Sequence, residues 1–271
     1  MSSSPQSEGE ILPPVDPEAA YSAENVAPPQ RRRTRSILSA PGTYVLVGIN
    51  CAVYLWMVLH GVDPASPTPI QLIHFGANVP ALVLHGEWYR LLTATFVHVG
   101  LIHLLTNMWC LWNLGLLGEP LLGRWGMAAV YMLTGIAGNL LSLGVNVFMH
   151  DFVSVGAGAS GAVFGIAGIL IVLLSNHKLP IPVFELKRLR RSVIQFAGLN
   201  LVIGLATVAL PIIRIDNSAH VGGFLFGLAL GVPLLPRMTS GRVLYLNRQK
   251  LTFAGAAFFL ALFGYWIANF R

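Results

Sequence analysis

The chain has 271 residues, 55% of them hydrophobic and only 10% charged, and a mean hydropathy of +0.67. Too little polar surface remains to clothe a water-soluble globule, so the composition points to an integral membrane protein. The 17 Lys and Arg against 11 Asp and Glu gather between apolar runs rather than forming a basic stripe with interleaved aromatics. That argues for topology signals and against a nucleic-acid partner.

Residues 1–40 differ from everything that follows. "MSSSPQSEGEILPPVDPEAAYSAENVAPPQ" is rich in Pro, Ser and Glu without an apolar run, and a disordered tail ending in the basic "RRRTR" is expected there. A charged start followed by an apolar core, as a signal peptide would need, is missing.

From Tyr44 onward, apolar runs approach the roughly 20 residues that cross the hydrocarbon layer as a helix. Spans are predicted at 43–60, 94–117, 126–148, 158–175, 193–212, 217–235 and 251–269. If the tail is cytoplasmic, all Lys and Arg except Arg90, Arg214 and Arg271 fall in the tail or in inner links. The positive-inside bias then puts the C-terminus outside, as in a bacterial cytoplasmic membrane. The loop at 61–92, with "IQLIHFGANVPALVLHGEWYRLLT", should lie partly in the outer interface, where Trp88, Tyr89 and Arg90 suit the headgroup region. Cys51 and Cys110 fall in separate apolar runs and read as small buried hydrophobes rather than a disulfide. Glu119 with Arg124 is expected to tie the inner link between the second and third spans.

Polar side chains inside apolar helices are costly in lipid and are functional candidates for that reason. In "HVGLIHLLTN", His103 and Asn107 are four apart, about 40° around a helix, and project from one face; His98, five before His103, lies about 140° away. The five-residue spacing and the lack of an adjacent acid do not suit an H-E-x-x-H zinc site, so no metal is expected. A plain interhelical hydrogen-bond ladder is the other reading.

In "AHVGGFLFG", His220 shares a helix face with Gly223 and Gly227 and, further on, with Gly231. Small residues at such steps allow close approach of a second helix, and Gly161, Gly165 and Gly168 offer a matching surface. If those two helices meet, Ser160 of "GAGASGAV" comes beside His220, and a neutral imidazole in reach of a hydroxyl is what activates a weak nucleophile. Ser160 taken alone reads as a helix cap, but that leaves His103, Asn107 and His220 unexplained at one depth. In the first turn of a helix, free backbone N–H groups there suit a developing oxyanion. Asp216, Asn217 and Ser218 read as the cap of the sixth span, and His60, His74, His85, His150 and His177 are assigned no role.

With "EWYR", "HVGLIHLLTN", "GAGASGAV" and "AHVGGFLFG" in this order over roughly residues 43–235, the chain resembles the rhomboid family of intramembrane serine proteases. The resemblance implies an all-α polytopic membrane bundle. A six-span catalytic core would occupy 41–236, and a basic link and seventh helix 237–271. It further implies Ser160 as nucleophile and His220 as general base and acid. His103 and Asn107, with the Ser160 N–H, would form an oxyanion hole. Trp88 and Arg90 would order the first loop, and His98 would support it. Gly158, Gly161, Gly223 and Gly227 would carry the close packing. Phe164 stands where members often carry Tyr and would pack under the imidazole without a hydroxyl. No cofactor is implied; the partners would be the lipid bilayer and transmembrane protein substrates. A transport route, or a non-catalytic protein that binds transmembrane helices, is the alternative class, although no internal repeat or intramembrane charge favours transport.

Overall fold

The computed structural model describes residues 40–179, 181–207, 216–235 and 241–269. The expected tail, apart from Ala40, and the end of the predicted fifth span lie outside the described residues, as do Arg214 and Arg271. Helices dominate, and the described residues contain no strand beyond one isolated antiparallel bridge between Asn78 and Gly156. They fall within a single compact unit.

Helix α1 (Pro41–Leu59) starts on a proline, whose missing N–H is one a first turn does not need. Its next two backbone N–H groups, at Gly42 and Thr43, donate to the Glu119 carboxylate at 2.8 and 2.7 Å, and the Thr43 hydroxyl does so at 2.7 Å. A carboxylate at a helix N-terminus meets the positive end of the macrodipole. The expectation that Glu119 pairs with Arg124 is therefore corrected: Glu119 caps α1 from another helix, and the Arg124 guanidinium lies over the Trp125 ring at 5.3 Å. Cys51 is also corrected, since it is exposed on α1; Cys110 is half-buried, and both are free.

Three short helices, α2 (Pro69–His74), α3 (Pro80–Leu84) and α4 (Arg90–Thr93), occupy the first loop. Helix α5 (Leu101–Phe148) contains the second and third predicted spans, separated by a break at Gly123, whose φ of 75° lies outside helical values. The second span starts at 101 rather than 94 because Gly100, at φ 114°, ends an irregular approach segment. His98 therefore sits before the helix that bears His103, and the predicted helical angle between them does not apply.

Helix α6 (Ser160–Leu173) is buried along almost its whole length. Its 14 residues rise about 21 Å, short of the roughly 30 Å hydrocarbon core. The predicted span over 158–175 is shortened because 151–159 is non-helical and bonded to the first loop. Helix α7 (Val183–Thr207) begins ten positions earlier than predicted and takes the charged "ELKRLRR" into its first turns. Helix α8 (Asn217–Leu234) is capped by Asp216, which accepts the Ala219 N–H at 3.0 Å. Helix α9 (Arg242–Asn269) also starts early, and Tyr245 and Gln249 from its added turns reach the Gly123 break.

Helices α1, α5, α8 and α9 are long and apolar enough to cross a membrane. Their outward faces expose Trp56, Trp109, Trp125, Phe258 and Trp266, which a bilayer solvates and water does not. The chain is an integral membrane protein built as a polytopic helical bundle.

The core of the bundle is the meeting of α6 with α8. An ideal Cβ at Gly223 would stand 2.0 Å from the Gly161 carbonyl oxygen, and one at Gly227 2.0 Å from that of Gly165. One at Gly168 would stand 2.3 Å from the Phe224 oxygen. No side chain fits at these positions, so the helices touch backbone to backbone, the approach that small-residue faces permit.

Candidate active site

That contact brings the first turns of α6 and α8 together. Ser160 is the first residue of α6; the cap position is Ala159, and no side chain caps the helix. The Ser160 hydroxyl instead faces His220, with Oγ 2.8 Å from Nε2 across 60 residues of sequence. A hydroxyl donating to Nε2 puts the ring proton on Nδ1.

His220 is 7% exposed. Phe164, one turn along α6, stacks under its ring at 4.4 Å between centroids and 13° between planes. The nearest carboxylate in sequence is committed elsewhere: one Asp216 oxygen takes the Ala219 N–H and the other the Ser142 hydroxyl, tying the head of α8 to α5.

His103 lies against the segment that leads into Ser160. Its Nδ1 accepts the Val99 N–H at 3.3 Å, which leaves the proton on Nε2 as a donor. The ring lies against Gly158, where an ideal Cβ would be 2.6 Å from Cε1 and 3.1 Å from Nε2. Gly158 also has φ 134°, so glycine is needed there both for backbone conformation and for the space the imidazole fills. Asn107 is buried one turn along α5 and gives one N–H to the His103 carbonyl at 2.9 Å, leaving its second amide hydrogen.

His98 is fully buried; its Nδ1 donates to the Phe96 carbonyl at 3.1 Å, and its ring centroid lies 5.4 Å from that of His103. It supports the His103 side and does not reach Ser160 through any contact described. Gly161, Gly223 and Gly227 form the α6–α8 contact already described.

The first loop is braced by Arg90 and tied by backbone bonds to the segment that precedes Ser160. Arg90, 6% exposed, donates to the carbonyls of Ile73 and Ala77 at 2.8 and 3.0 Å and pairs with Glu87 at 2.7 Å. The Tyr89 hydroxyl, and then Arg90, hold the Glu87 carboxyl below the usual carboxylate range. Beside Ala77, Asn78 exchanges both backbone bonds with Gly156 at 2.8 Å each, and the Gly158 N–H donates to Ala94 at 2.9 Å. Trp88 lies against Gly264 of α9 and lines an apolar cavity of about 600 Å³ between the loop, α5 and that helix.

Sequence reasoning missed Asn78, whose only signal is a polar residue in the apolar run "FGANVP". It also missed Gln249, which lies before the predicted start of its span, and Asn139, which donates to the Leu91 carbonyl at 2.8 Å.

An all-helical membrane bundle with a serine and a histidine juxtaposed on two glycine-packed helices defines a class, and comparison with known proteins narrows it. The family model for the Rhomboid domain matches residues 85–237. The chain is 32% identical over 213 residues to Rhomboid protease GluP of Bacillus subtilis (strain 168), covering 75% of this chain and 38% of GluP. It is 30% identical over 204 residues to Rhomboid protease AarA of Providencia stuartii, covering 70% of this chain and 71% of AarA. It is 37% identical over 184 residues to RHOMBOID-like protein 5 of Arabidopsis thaliana, covering 67% and 54%. The chain belongs to the rhomboid family.

Proposed function

We propose that the chain is an intramembrane serine endopeptidase that cleaves other proteins in or near their transmembrane segments, with Ser160 and His220 as a catalytic dyad. The observation that carries this is the 2.8 Å contact between Ser160 Oγ and His220 Nε2 across two helices. Relatives named as rhomboid proteases support proteolytic activity.

In this mechanism Ser160 Oγ attacks the scissile carbonyl while His220 Nε2 takes its proton. The imidazolium then protonates the leaving amine, and a water deprotonated by His220 hydrolyses the acyl-enzyme. The tetrahedral oxyanion is met by the Ser160 N–H, unpaired in a first helical turn, together with His103 Nε2–H and the spare Asn107 amide hydrogen. The short α6 and the non-helical segment before it let water reach a serine that lies below one membrane face. Substrate segments weakened as helices near that face unwind most readily.

Residues 41–236 would form the catalytic core and 237–271 an accessory unit. The N-terminus would lie inside and the site would open outward, as in a bacterial cytoplasmic membrane. The lysines and arginines of the inner links support that orientation.

The test uses purified protein in detergent, a fluorophosphonate and a model single-span substrate. The native chain should be labelled and should cleave. Ser160→Ala and His220→Ala should each lose about 10³-fold or more in cleavage rate. A folded native chain that stays unlabelled would leave a transmembrane-helix-binding or transport role in its place.

A further inference from the structure

His220 engages Ser160 with one ring nitrogen, and its other nitrogen, Nδ1, is buried with no hydrogen-bond partner among the described residues. A buried polar atom in that condition calls for a reason. Among the described residues, three other side-chain atoms share the condition: Asn78 Oδ1, His98 Nε2 and Asn217 Oδ1.

The chemistry of the four separates them. His98 donates from Nδ1 to Phe96, so its Nε2 is an acceptor, and the two carboxamide oxygens are acceptors as well. With the Ser160 hydroxyl donating to Nε2, the ring proton of His220 lies on Nδ1, which makes it the single donor of the set. Asn217 lies three residues before His220 in the first turn of α8, and residues so spaced are neighbours on one helix face with Cβ atoms about 5–6 Å apart. Asp216, the alternative acceptor nearby, already uses both oxygens.

We infer that Asn217 is a positioning residue for His220: its side-chain oxygen and the Nδ1–H are joined by one bridging water. The two groups make no direct bond, and a single water accepting from Nδ1 and donating to Oδ1 spans the separation that a three-residue helical step creates. The bridge fixes the ring proton on Nδ1, keeps Nε2 free to receive the serine proton, and strengthens as the imidazolium forms. It does with a neutral partner what a carboxylate does in a triad. This inference rests on the serine-protease proposal.

The test compares native protein with Asn217→Ala and Asn217→Asp, each assayed below its own melting temperature, with kcat and KM determined for the single-span substrate. Asn217→Ala should lower kcat about tenfold at unchanged KM. Asn217→Asp, which keeps an acceptor oxygen in the same place, should stay at least threefold above the alanine variant. Equal kcat in the two variants, or native-like kcat in Asn217→Ala, overturns the inference. Failure of the native chain to react with fluorophosphonate instead overturns the protease proposal itself, so the two failures are distinct.

Discussion

Gly158 concentrates two demands in one residue. Its φ of 134° disfavours any L side chain, and a Cβ there would press to within 2.6 Å of the His103 ring. Gly158→Ala should therefore displace His103 while leaving Ser160 and His220 on their own helices. We expect cleavage to fall about 10²-fold, the effect of losing one oxyanion donor, with the fluorophosphonate-labelled protein still folded by its melting curve. Labelling and cleavage at native rates would show that His103 has no part in the chemistry. The sequence singled out the serine and histidine that the fold brings to 2.8 Å, because polar groups in apolar runs are conspicuous. It did not expose the tautomers of His103 and His220, which depend on what each ring meets once folded: the Val99 N–H of the irregular segment before α5 for one, and the serine hydroxyl on a second helix for the other.

Among the elements, α6 and α8 decide whether a site exists at all. The Gly161 and Gly165 carbonyls lie where Cβ atoms of Gly223 and Gly227 would be. Gly227→Val must push the helices apart, and overpacking of this kind costs about 1–3 kcal/mol or more. The expected outcome is a lowered melting temperature together with loss of labelling at Ser160, measured on one preparation. Helix α9 works at a different joint. Where Gly123 breaks α5, the freed carbonyls of Leu121 and Leu122 accept from Tyr245 Oη at 3.1 Å and Gln249 Nε2 at 2.9 Å. Gln249→Leu leaves a buried carbonyl without its donor, a loss of about 1–3 kcal/mol. It should lower the melting temperature while labelling per folded molecule stays native. The glycine faces were legible from spacing alone. The Glu119 cap on α1 was not, because its partners Gly42 and Thr43 lie 77 and 76 residues away in sequence.

For the whole molecule, the distribution of charge predicts an orientation that reporters can test. Fusions at the N-terminus and in the link between α6 and α7 should report the cytoplasmic side, and one in the first loop the opposite side; the reverse pattern would refute the charge argument. Composition and hydropathy alone determined that this is a helical membrane protein, since continuous apolar runs of roughly 20 residues suit a spanning helix, whereas a β-barrel, the other fold that satisfies its backbone in lipid, alternates apolar and polar residues. Motif order determined its family and the residues to suspect. Only the tertiary structure decided that α6 is short, that His98 stands outside the helix of His103, and that Ser160 meets His220 rather than capping its own helix. Those outcomes depend on contacts between segments distant in the chain, through backbone carbonyls and glycine gaps that leave no periodic trace in the sequence.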